Sequence, residues 1–147
     1  MLACAGLLAA LAFPAATAAG TRSFHGAADP DGTVQFRAKI KRGKPVKVRG
    51  SGDRRGFAWE DVPIQCDTGS LPGNKVSGYF GRSIKVKHKR FRAKGSDGYT
   101  TAKVRGKFRK HGRKARGVLR LRGNFPAFDA SGCDTGRTHW RAHRVPA

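Results

Sequence analysis

Between Ser83 and Phe128 the chain places a Lys or Arg at nearly every second residue, interleaved with small and apolar residues, and it carries a single acid there, Asp97. Successive side chains of a strand point to opposite faces of a sheet. Ser83 to Lys89 and Thr101 to Arg109 therefore each set apolar or small groups on one side and charge on the other. The pattern demands a sheet with one face made almost wholly of cations. No segment of the chain repeats with a helical period, and the charge is ordered along strands in place of being pooled in a tail.

The remaining text reads the same way. Thr33 to Lys41 alternates for nine residues, with Val34, Phe36, Ala38 and Ile40 directed inward. Arg42-Gly43-Lys44-Pro45 supplies a turn, after which Val46 and Val48 resume the alternation. Ser51 to Gly56 is a charged loop. Phe57 to Cys66 makes a further strand, followed by a Gly-, Pro- and Asn-rich turn from Asp67 to Asn74. Strands are expected at about 75 to 81, 83 to 92, 99 to 110, 115 to 123 and 136 to 143, with Gly95 to Gly98 and Lys110 to Arg113 as hairpin turns. About eight short strands joined by tight turns predict an all-β fold, a single antiparallel meander closed as an up-and-down barrel, with a two-sheet sandwich as the alternative. Closure removes the two exposed edges that a meander leaves.

Residues 1 to 19 form an apolar run ending in small residues, with Ala16-Thr17-Ala18 fitting a signal-peptidase site, and are expected to be an export signal. No basic region precedes the run, as expected if the true start lies upstream or the sequence is truncated. The run is short for a membrane span, and no second apolar segment follows it. Residues 20 to 31 read as a polar leader and 32 to 147 as one domain, and the whole of the net charge of +22 lies beyond the signal. Cys66 and Cys133 are the two cysteines beyond the signal, and an even pair in an exported chain reads as a disulfide. Closing so long a loop contributes ~4 kcal/mol in the chain-entropy model.

Chemistry-bearing motifs are few. Cys-Asp-Thr-Gly occurs at 66 to 69 and again at 133 to 136, and the strands before them echo each other in a way that a duplication would produce. Paired Asp-Thr-Gly also marks aspartic proteases, whose two carboxylates share a proton. Here Gln65-Cys66 and Gly132-Cys133 precede the acids where those enzymes have an apolar strand. A turn after each half-cystine, with the Asp accepting backbone N–H bonds, is the simpler reading of Asp67 and Asp134. His139 and His143 share one strand face with Arg141 between them, and the other histidines stand alone, so no metal set assembles. The single glutamate, Glu60, leaves no paired glutamates, and there is neither a glycine-rich phosphate loop nor a nucleophile elbow. We expect no enzyme activity, cofactor or metal. Most aromatic residues fall at inward positions, and Tyr99 beside the Asp97-Gly98 turn is the candidate exposed ring.

The stretch from Arg82 to Arg122 holds 17 cations against one acid. Like charges facing one another across strands destabilise a sheet, so such a face calls for a reason beyond solubility. In a meander the strands near 83 to 92, 99 to 110 and 115 to 123 are neighbours. Lys85, Lys87, Lys89, Lys103, Arg105, Lys107, Arg109, Arg116, Arg120 and Arg122 are then the candidate anion-binding residues. The partner expected is a polyanion of the cell envelope or its surroundings, such as teichoic acid, lipid head groups or extracellular DNA, held by a monomer without sequence preference. Two alternatives stand: a barrel carrying a small apolar ligand inside, and a hydrolase built on Asp67 and Asp134.

Gly32-Thr-Val-Gln-Phe36, Val62-Pro-Ile-Gln-Cys66, Ile84 to Phe91, and Gly132 to Ala142 with its Cys-Asp-Thr-Gly and Trp140-Arg-Ala, together resemble a group of exported actinobacterial proteins of uncharacterised function. The resemblance implies export, a single β domain and pairing of Cys66 with Cys133. It implies no activity or catalytic residue, and Ser51 to Arg55 departs from its pattern as an insertion.

Overall fold

The computed structural model describes residues 20–49 and 56–146. The expected signal segment and Ser51 to Arg55 lie outside the described residues. The described residues are all-β and antiparallel, in eleven strands: β1 (Gly20–Asp29), β2 (Thr33–Lys41), β3 (Lys44–Arg49), β4 (Ala58–Pro63), β5 (Lys75–Tyr79), β6 (Ile84–Lys85), β7 (Arg90–Ser96), β8 (Thr100–Arg109), β9 (Lys114–Phe125), β10 (Ala130–Asp134) and β11 (Thr138–Arg144).

The strands curl into a barrel-like sheet. Ladders run β2 to β1 to β11 to β9 to β8 to β7. On the other side β2 pairs with β3, and β3 pairs with β6 through Lys47–Lys85 and Val48–Ile84. A single pair, Lys87 with Arg90, joins the end of β6 to β7 and completes the circuit. The last strand is inserted between β1 and β9, and β3 is joined to β6, so the order departs from the sequence at these two places. β4 continues from the other half of β2 and carries β5, and β10 pairs with the far end of β9.

Alternation sets the inside. Val34, Phe36, Ala38 and Ile40 of β2 are buried, while Lys39 and Lys41 between and beyond them are exposed. Rings fill the centre: Phe24, Phe36, Phe57, Phe91, Phe108 and Trp140 form one network with neighbouring centroids 4.9 to 6.2 Å apart. Aromatic pairs at these separations add to area burial.

Two expectations are corrected. Residues 20 to 29 are not a leader but strand β1, with Phe24 fully buried and stacked on Phe36 at 4.9 Å. The segment reads as polar because the other positions on the side of Phe24 are Gly20, Arg22, Gly26 and Ala28. Gly26 is obligatory, since a Cβ there would strike the Arg141 backbone of β11. The second correction is the strand expected at 83 to 92. It is two strands, folded back at His88 and Lys89, whose φ values of 51° and 64° form a tight hairpin turn. Such turns usually announce themselves with Asn or Gly, and neither is present here.

Candidate functional site

The turn at His88–Lys89 resets which residues face outward. Along a single strand through 92, Arg90 and Arg92 would share the inward side with Ile84 and Val86. After the turn Arg90 and Arg92 are exposed and Phe91 is buried. Register then lines up the cations of successive strands. Arg90 lies opposite Lys107, Lys107 opposite Arg116, and Arg116 opposite Arg141, which faces Ala27 of β1. In the next row Arg92 faces Arg105, followed by Val118, His139 and Asp29.

These two rows line an open groove of about 1270 Å³. Its cations are Lys85, Lys87, Arg90, Arg92, Arg105, Lys107, Arg116 and Arg141; His139 and one acid, Asp29, complete its charged and titratable lining. Ala27, Val118 and the backbones of Gly106 and Gly117 make up much of the floor. The two glycines face each other across β8 and β9. A Cβ on Gly106 would stand 2.8 Å from Cζ2 of Trp140, and one on Gly117 would run into the Arg105 carbonyl oxygen. Glycine therefore lets both backbones settle onto the Phe91 and Trp140 rings, and the outer surface dips there. Phe91 and Trp140 are themselves 3% and 1% exposed, so neither offers its face to the groove.

Among the described residues none of the eight groove cations pairs with an acid. Like charges thus face one another across β7, β8, β9 and β11 without compensation, an arrangement that weakens those pairings.

Of the ten cations singled out from sequence, Lys85, Lys87, Arg105, Lys107 and Arg116 line the groove. Lys89 does not, because it stands in the hairpin turn, where its carbonyl accepts the Phe108 N–H at 2.8 Å. Lys103 lies one row away, between Lys94 and Arg120, and Arg109 lies opposite Lys114 at the other end of the strand. Arg120 and Arg122 are held by Asp134. The Arg120 guanidinium donates Nε to Oδ1 at 3.1 Å and Nη2 to Oδ2 at 2.7 Å, and Arg122 Nε is 3.5 Å from Oδ2. The groove residues that sequence reasoning missed are Arg90, Arg92 and Arg141. The first two were hidden by the unmarked turn, and Arg141 by the insertion of β11 beside β9.

At the corner held by Asp134, Cys66 and Cys133 are bonded, with Cα atoms 3.8 Å apart. Flanking bridges pair Gln65 with Asp134 and Thr68 with Ser131. Asp67 and Asp134 consequently share a face beside the disulfide. Arg120 first, then the Gly136 N–H at 2.8 Å and the charge of Arg122, hold the Asp134 carboxyl below the usual carboxylate range, with partial burial opposing them. Both oxygens of this carboxylate accept from Arg120, which ties the corner to β9. Asp97 likewise caps its turn by accepting the N–H groups of Tyr99 and Thr100 at 2.9 and 2.7 Å. Tyr99 is 64% exposed. Among the described residues no group of three His, Cys, Asp or Glu could hold a metal ion, and no helix is long and apolar enough to cross a membrane. Compared with protein-family models, curated proteins and solved structures, the chain matches none of them.

Proposed function

We propose that this is an exported, disulfide-closed β domain that binds an anionic polymer of the cell envelope or its surroundings in the groove across β7, β8, β9 and β11. The carrying observation is the set of eight cations around one hollow, none of them ion-paired among the described residues. Uncompensated cross-strand repulsion costs stability, and a bound polyanion relieves it. The apolar run at 1 to 19 and the Cys66–Cys133 bond favour an oxidising compartment outside the cytoplasm.

Guanidinium and ammonium groups on flat strands meet phosphate or sulfate oxygens and reach no base edges, so binding carries no sequence preference. If the groove neutralises about six phosphates, log affinity falls against log salt with a slope of about −4 on a flexible single chain and about −5 on duplex DNA. The test is retention on heparin and fluorescence titration with a phosphate polymer over a salt series. Passage through heparin unretained at about 50 mM salt, where attraction of this kind is strong, overturns the proposal.

A further inference from the structure

The row Arg141–Arg116–Lys107–Arg90 does not stop at β7. Arg90 is bridged to Lys87, and Lys85 follows two residues back on the same side of the chain. Lys85 faces Lys47 of β3, and Lys47 faces Lys39 of β2. All four added lysines are exposed. Each cation is thus the immediate neighbour of the next, by ladder register or by the two-residue repeat of one strand. At about 4.8 Å per strand step and twice about 3.3 Å along one strand, the track runs about 35 Å around the barrel. It ends on β1, whose outward residues Thr21, Ser23, His25, Ala27 and Asp29 include no Lys or Arg.

Resting on the polyanion reading above, we infer that the ligand is a flexible, unbranched phosphate chain without bases, which crosses the strands and wraps the barrel along this track. Three observations carry it. The cations form a line that turns with the barrel, so a flat bilayer or a stiff duplex touches only part of it. The line crosses the strands at close spacing, matching a chain with charge at every repeat. The groove exposes no Phe, Tyr or Trp ring and a single imidazole, His139, so the stacking that gives single-stranded nucleic acid much of its affinity has little platform there.

The test compares tripolyphosphate with long-chain polyphosphate on the full chain and on three double variants. Lys107→Glu with Arg116→Glu strikes the groove. Lys39→Glu with Lys47→Glu strikes the far end of the track. Lys110→Glu with Arg137→Glu, in turns off the track, controls for net charge. Circular dichroism checks that each is folded, and a variant that fails is replaced by the same pair changed to Gln. The expected result is that the groove pair weakens both ligands about tenfold or more. The Lys39–Lys47 pair should weaken long polyphosphate severalfold beyond the control and leave tripolyphosphate at the control's level. If the Lys39–Lys47 pair matches the control on long chains while the groove pair still weakens binding, wrapping is overturned and the groove reading stands. If the groove pair also matches the control, both fall. Binding to anionic vesicles, single-stranded DNA or duplex DNA as tight as to long polyphosphate at equal salt overturns the base-free flexible chain.

Discussion

Arg116 and Arg120 stand on the same outward side of β9, yet they lie in two regions built on opposite terms. At Arg116 the neighbours across the strands are Lys107 and Arg141, and no acid answers them. At Arg120 the cross-strand neighbour Lys103 is offset by a two-pronged bond to Asp134, which also reaches Arg122 and lies beside the disulfide. One strand thus carries an unsatisfied surface at one end and a covalently tied, charge-balanced corner at the other. A Lys or Arg count cannot distinguish them. What distinguishes them is whether the topology brings a carboxylate within reach.

The comparison breaks most visibly where the groove rests on the core. Trp140 is the largest fully buried side chain, and its ring lies against Phe36, Phe57 and Phe91 under Gly106 and Gly117. Trp140→Ala is expected to cost about 3–5 kcal/mol by urea denaturation, the usual range for emptying an aromatic core site. A cost under about 1 kcal/mol would mean that the groove floor is not supported from beneath. At the other region, Cys66→Ser with Cys133→Ser is expected to cost about 2–5 kcal/mol, since the bond closes a separation of 67 residues. The variant should keep its salt-dependent binding if the groove is independent of the corner. Loss of binding in a variant that is still folded would show the two regions to be coupled.

A smaller effect separates the two arginine populations. Changing Lys107 and Arg116 to Gln should lower the salt slope by about two, one for each phosphate contact removed. Changing Arg120 and Arg122 to Gln should leave the slope nearly as it was, because those cations already face Asp134. Equal losses from the two pairs would return the surface to the undivided basic face that the sequence alone suggests.

That undivided face marks the limit of legibility. Alternation at Val34, Phe36, Ala38 and Ile40, and again at Val104 and Phe108, made the sheet and much of its core readable, because burial on one face imposes a period of two. The inward Trp140, with His139 and Arg141 exposed, followed from the same rule. The Cys66–Cys133 bond was readable from cysteine number. Three features were not. His88–Lys89 adopts a turn without the residues that usually signal one, and a turn of that kind flips the parity of everything after it. Gly20–Asp29 is a central strand whose inward residues are mostly too small to register as apolar. The pairing of β11 with β9 and β1 is a long-range choice, and it decides both that Arg141 joins the groove and that Asp134 is turned toward Arg120.

The subtlest test concerns Asp134 itself, through Asp134→Asn. The wild-type carboxyl is held below the usual aspartate range, chiefly by Arg120. A group depressed in the folded state contributes stability that is fully present above its unfolded pKa and is lost as pH falls through its folded value. Wild type should therefore be slightly more stable than the Asn variant at neutral pH, and the difference should vanish on acidification below the usual aspartate range. Taking the difference between the two proteins cancels the acid destabilisation that so basic a chain suffers in any case. The pair is half-exposed, so the gap is small, and salt should narrow it further. Binding should move the other way: with Asp134 neutral, Arg120 and Arg122 are released and join the unsatisfied cations of β9. The Asn variant should then hold long polyphosphate slightly more tightly at neutral pH, with a steeper salt slope. A gap that persists at low pH would show that Asp134 acts through its shape and its Gly136 bond, leaving the arginines of the corner no less available than those of the groove.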